Sequence, residues 1–100
     1  MFEYANMSKL KKYGELIPDT MKAFVAFDKA AFAEGLLSVK MKELMAIAVA
    51  VTTQCGYCIE LHQRRAKTAG ATEAEIAEAV MVSAAIRAGG SVTHGLHCLE

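Results

Sequence analysis

Residues 38–53 read SVKMKELMAIAVAVTT, and the fold turns on how this stretch is read. Ser38 stands where a helix N-cap belongs, because a short hydroxyl can accept one of the unpaired N–H groups of a first turn. Behind it, Met41, Leu44, Met45, Ala48, Val49 and Thr52 recur at three-four spacing, and Ile47 and Val51 fill the adjoining face. The β-branched Val49, Val51, Thr52 and Thr53 favour a strand, but the length of the run and its alanines outweigh them. A helix that is apolar almost all round predicts a central, buried element rather than a surface one. It does not predict a membrane span. The unbroken apolar run, residues 44–51, has eight residues, against the roughly 20 that a bilayer requires.

Upstream lies the chain's single proline, Pro18. The residue before a proline is pushed toward extended geometry, so no helix should cross Ile17. Asp19 is the expected N-cap of the next helix, and Met21, Phe24, Val25, Asp28 and Phe32 share one of its stripes. Gly35 is the expected stop, in left-handed geometry, which gives a helix over residues 20–34. Its aromatic and Met side chains, Phe27 included, read as core and subunit interface. Residues 8–16 read as one more short helix.

Downstream, Gly56 reads as a break, with a new helix opening close to Cys55. Ile59, His62 and Ala66 fall on one face, Arg64, Arg65 and Lys67 turn away, and Gly70 closes the element. Thr72-Glu73-Ala74-Glu75 has the form of a capping box before Ile76, Ala79, Val80, Ser83, Ala84 and Arg87. Gly89 and Gly90 are expected to end that helix, leaving residues 91–100 as a short tail. The fold class is therefore all-α, four or five helices in one domain over residues 1–100, its core about 20–90.

Composition narrows the function. Of 100 residues, 54% are apolar, 18 of them alanine, and only 22% are charged, so the chain is not disordered. Eleven bases balance eleven acids, which leaves no bulk positive charge for nucleic acid. The first residues lack a basic n-region, so a secretory signal is not expected. Three cysteines are too few and odd in number for a disulfide-stapled secreted scaffold. The expected location is cytoplasmic, where a close cysteine pair means redox chemistry or metal. A 100-residue monomer with six Met and four Phe would leave apolar patches in water. A homo-oligomer is the expectation.

Cys55-Gly56-Tyr57-Cys58 is that close pair. Two thiols three residues apart fit a disulfide, whose Cα separation is roughly 4.4–6.8 Å. At a helix start, the positive end of the dipole favours their thiolates. His62, four residues after Cys58 on the same helical face, can take a thiol proton or relay it. Glu43 is the only acid between Glu34 and Glu60. It is either a carboxylate favoured near a helix N-terminus or the group that orients His62. Spacing alone does not say which cysteine attacks first.

Glu43, Cys55, Cys58 and His62, spaced E-x11-C-x2-C-x3-H in an alanine-rich helical chain, resemble the AhpD-like (alkylhydroperoxidase) branch of the carboxymuconolactone decarboxylase family. The resemblance covers residues 24–89. It implies a helical homo-oligomer, trimer or hexamer, that reduces hydroperoxides through its cysteine pair and is itself re-reduced by a dithiol or a lipoylated protein, with no bound cofactor. By position, Cys58 would attack peroxide, Cys55 would resolve, and His62 with Glu43 would be the proton relay. The namesake of the branch has a histidine between its cysteines where this chain has Tyr57, which is a poor acid–base group near pH 7. Two other readings stand beside this one. The chain can be a non-enzymatic redox-sensing or structural oligomer. Alternatively, His94, His97 or Cys98 can join Cys55, Cys58 and His62 in a structural zinc site.

Overall fold

The structure, a computed structural model, describes residues 3–100. A 3₁₀ segment, Tyr4–Lys9, leads into α1 (Leu10–Leu16), α2 (Pro18–Phe32), α3 (Val39–Thr53), α4 (Gly56–Thr68) and α5 (Glu73–His94), and a 3₁₀ turn, Gly95–Cys98, follows. There is no strand among the described residues.

The helix ends show local chemistry at work. Ser38 Oγ accepts the Met41 N–H at 3.1 Å and starts α3. Thr72 and Glu75 form the reciprocal capping box of α5, Glu75 N–H to Thr72 Oγ1 at 3.1 Å and Thr72 N–H to Glu75 Oε1 at 2.9 Å. Gly70 takes φ +96°. There the Gly70 and Ala71 N–H groups reach back to the Lys67 and Ala66 carbonyls, at 3.0 and 2.9 Å. This paired closure satisfies the last carbonyls of α4. Ile17, at φ −137°, separates α1 from α2.

Four local expectations are corrected. Asp19 is not the cap of α2, because the helix begins at Pro18. Proline is well placed at the first helical position, where its missing N–H has no partner to lose. Asp19 falls instead in the first turn, where its charge suits the dipole. The helix ends at Phe32, before Gly35, and Gly35 is not left-handed. The break falls at Gln54 and Cys55, and Gly56 is already the first residue of α4, which opens at Cys55 as expected. Gly89 and Gly90 do not stop α5, which continues to His94. Each glycine costs a helix about 1 kcal/mol relative to alanine, too little to end one that is already several turns long at Gly89, and no proline follows.

The core forms where α3 meets α4 and α5. Leu44, Ile47, Ala66 and Ala71 are buried, with Val51, Ile76, Ala79 and Val80 packed against them. Lys40 on α3 pairs with Glu75 on α5 at 2.8 Å. The other side of α3 departs from the expectation of a fully buried helix. Met41, Met45 and Val49 stand about half exposed or more, at 47%, 51% and 61%. Phe24, Val25 and Phe27 on α2 and Met81, Val82 and Ile86 on α5 are exposed as well. The radius of gyration is 16.6 Å, against about 13 Å for a compact domain of this length. Apolar faces therefore remain in water, as the composition implied.

Candidate active site

The sharp turn between α3 and α4 builds the site. Gln54 caps α3 in the left-handed region, φ 58° and ψ 37°, a conformation uncommon outside glycine. The Cys55 N–H still reaches back to the Ala50 carbonyl at 3.1 Å. The chain thus reverses within two residues and enters α4 with Cys55 as its N-cap.

Cys55 and Cys58 are joined as a disulfide, with their Cα atoms 5.3 Å apart. The Cys58 N–H donates to Cys55 Sγ at 3.2 Å. The cap role usually filled by a serine or aspartate oxygen is here filled by sulfur.

One turn further along α4, the His62 Nδ1–H donates to both oxygens of Glu43, at 2.8 and 3.1 Å. Glu43 is 2% exposed and His62 is 12% exposed. A buried carboxylate without a partner would be costly, and this one has its partner. Among the described residues no buried side-chain N or O atom lacks one. Because a carboxylate only accepts, the hydrogen sits on Nδ1, and Nε2 is the nitrogen left for proton exchange. His62 follows Cys58 by four residues on one helix, so the imidazole and that sulfur share a face.

The four residues singled out from the sequence are thus placed on two packed elements, α3 and α4. Two further side chains reach the site that the sequence did not assign to it. The Phe32 ring lies parallel to the His62 ring, centroids 5.0 Å apart and planes 15° off parallel. The Asn6 amide donates to the Tyr57 hydroxyl at 3.2 Å, which lays the N-terminal 3₁₀ segment beside the redox turn. Both contacts join elements distant in the chain, and no local pattern announces them. Next to Tyr57 runs a groove of about 380 Å³, walled by Met7, Leu10, Tyr13 and Leu16, with Lys9 and Lys12 beside them.

The tail residues are not part of this arrangement. His94 and His97 meet edge to face at 5.0 Å, and Cys98 is a free, exposed thiol. Among the described residues no cluster of three or more His, Cys, Asp or Glu side chains is disposed to hold a metal ion. The zinc set proposed from composition is not assembled.

The family model for carboxymuconolactone decarboxylases matches residues 18–100, from the start of α2 onward. The chain belongs to the carboxymuconolactone decarboxylase family. Its relatives include an uncharacterized protein of the cox locus of Paracoccus denitrificans, 42% identical over 90 residues, covering 90% of this chain and 78% of that one. An uncharacterized protein of Haemophilus influenzae is 43% identical over 93 residues, covering 90% and 82%. Among solved structures, a carboxymuconolactone decarboxylase family protein from Legionella pneumophila superposes with a TM-score of 0.77 at 32% identity, over 88% of this chain and 79% of that one. A protein from Methanobacterium thermoautotrophicum gives 0.82 at 34% identity, over 88% and 99%. The family thus supplies the helical fold. No helix of the described residues is long and apolar enough to cross a membrane.

Proposed function

We propose that this family member is a thiol-dependent hydroperoxide reductase of the AhpD-like kind, working in the cytoplasm as a homo-oligomer without a bound cofactor. The observation that carries this reading is the buried pair between Glu43 of α3 and His62 of α4, the helix that begins at the Cys55–Cys58 disulfide. A merely structural disulfide has no use for a buried acid–imidazole pair one turn away. A base held in one tautomer one helical turn from a cysteine suits thiol activation.

In the reduced protein, His62 Nε2 takes the Cys58 proton. The thiolate attacks the terminal oxygen of the hydroperoxide, the O–O bond breaks, and the departing alkoxide leaves as alcohol after gaining a proton. Cys58 is now a sulfenic acid. Cys55 attacks that sulfur, the S–S bond forms, and hydroxide leaves as water after protonation. An external dithiol, free or on a lipoylated protein, then exchanges with the disulfide and is itself oxidised. The sum is hydroperoxide plus dithiol giving alcohol, water and disulfide. Glu43 holds the imidazole throughout and steadies it while it carries the extra proton. The apolar groove beside Tyr57 supports an organic hydroperoxide as substrate. The apolar faces of α3 and α5 support assembly with further copies of the chain.

The test is steady-state consumption of an organic hydroperoxide with dihydrolipoamide as reductant. Turnover lost in Cys58→Ser supports the reading. A disulfide that opens and closes with no peroxide consumed contradicts it and leaves a redox sensor.

A further inference from the structure

We infer that Phe32 is a positioning residue for His62. This rests on the function proposed above only in supposing that His62 acts as a base. The imidazole is gripped from two directions. Glu43 fixes its Nδ1 edge at 2.8 Å, which sets one point but leaves the ring free to swing about that bond. The Phe32 ring, stacked at 5.0 Å and 15°, fixes the plane. With an edge and a plane both set, Nε2 has one direction to face. Aromatic stacking of this kind adds to simple burial, and that holds one orientation over its competitors.

Phe32 is itself held. It is the last residue of α2, where the helix gives way to extended backbone at Ala33. There Lys42 Nζ donates to the Ala33 carbonyl at 2.6 Å, tying the end of α2 to α3. Lys42 and Glu43 are neighbours on α3. One supports the ring over His62 through the chain end that carries it, and the other holds the imidazole directly. Most of α2 packs loosely, with no residue buried and Phe24, Val25 and Phe27 exposed, so the secured contact at Phe32 stands out.

The experiment compares wild type with Phe32→Leu, which keeps an apolar side chain, and Phe32→Tyr, which keeps the ring. Three readings are taken: the nitrogen NMR shifts of His62, the rate at which iodoacetamide alkylates Cys58 in the reduced protein, and kcat with KM for hydroperoxide. In wild type and Phe32→Tyr, equal alkylation rates are expected. In Phe32→Leu, the Nδ1–H tautomer that Glu43 sets is expected to persist, with alkylation and kcat each about tenfold lower at unchanged KM, an order below the roughly 10²–10⁴ that a general base contributes. A folded Phe32→Leu protein with wild-type alkylation overturns the inference. Should Phe32→Leu fail to fold, slowed alkylation with the tautomer kept in Lys42→Met supports it, and wild-type alkylation in that variant overturns it. Absence of peroxide turnover in wild type would defeat the proposed function. It would leave the alkylation reading to decide this inference alone.

Discussion

Replacing Glu43 by glutamine removes a charge and almost nothing else. The carboxylate accepts the His62 Nδ1–H through both oxygens, at 2.8 and 3.1 Å, in a site 2% exposed. The amide oxygen of a glutamine side chain there can still accept that hydrogen, so imidazole orientation and local packing survive. What is lost is the strength of a charged acceptor. Hydrogen bonds to charged groups contribute about 1.5–3 kcal/mol, against about 0.5–1.5 for neutral ones. The difference, about 1–1.5 kcal/mol, bears on the imidazole as it takes up the Cys58 proton. At about 1.4 kcal/mol per tenfold in rate, Glu43→Gln should therefore lower kcat for hydroperoxide reduction by about tenfold. Stability should change little, because relief from burying a charge offsets the weaker bond. Its thermal midpoint should stay within about 4–8 °C of wild type, the shift that about 1 kcal/mol makes in a domain of this size. The assay is peroxide consumption alongside thermal unfolding of the same samples. A Glu43→Gln protein with unchanged kcat would refute the reasoning, since the carboxylate would then be a structural partner of His62 only.

Four more outcomes can be checked together. Cys58→Ser should abolish turnover, whereas Cys55→Ser should still consume one equivalent of peroxide and stop as a Cys58 sulfenic acid, which dimedone labelling detects. Gly70→Ala should destabilise the fold by about 1–2 kcal/mol, the cost of a left-handed backbone for an L side chain. Beyond residue 70 and its two chain neighbours, no heavy atom lies within 4 Å of the added methyl, so the loss measures the φ +96° backbone. The Glu75 carboxyl is held below its ordinary value by the Lys40 ammonium that donates to it, and next by the Thr72 N–H. A lowered folded-state value stabilises above the ordinary 4.5 and fades as pH falls through the lowered one. The advantage of wild type over Glu75→Gln in denaturant titrations should then be full at neutral pH and vanish in acid. Val49→Glu, on the exposed side of α3, should shift the sedimentation of the protein toward monomer, with wild type running as a homo-oligomer.

Much of the architecture is written locally and can be read so. The Ser38 cap, the Thr72–Glu75 box and the Gly70 stop each depend on residues within one turn, and all three form. Errors arise where two local rules compete. Asp19 is a good cap and Pro18 a good first residue, and the proline prevails because it restricts φ while the aspartate only adds a bond. Gly89 and Gly90 weaken a helix without ending it, since α5 needs neither side chain there for packing. The site divides the same way. Cys55, Cys58 and His62 lie on one turn-periodic face and are legible from spacing. Glu43 is legible as an acid in an apolar helix, but its role comes from the family pattern, because α3 must fold back on α4 before the two meet. Phe32 and Asn6 reach the site from other helical segments; Phe32 is legible only as a member of an apolar stripe, and Asn6 leaves no mark in the sequence.

The central claim is that Cys55 and Cys58 form a working peroxide-reducing pair. It is tested most directly by adding one equivalent of an organic hydroperoxide to fully reduced protein and mapping the cysteines by mass spectrometry. The account predicts rapid linkage of Cys55 to Cys58, one alcohol released per linkage, and Cys98 left free. Thiols that stay reduced while the peroxide persists would contradict it.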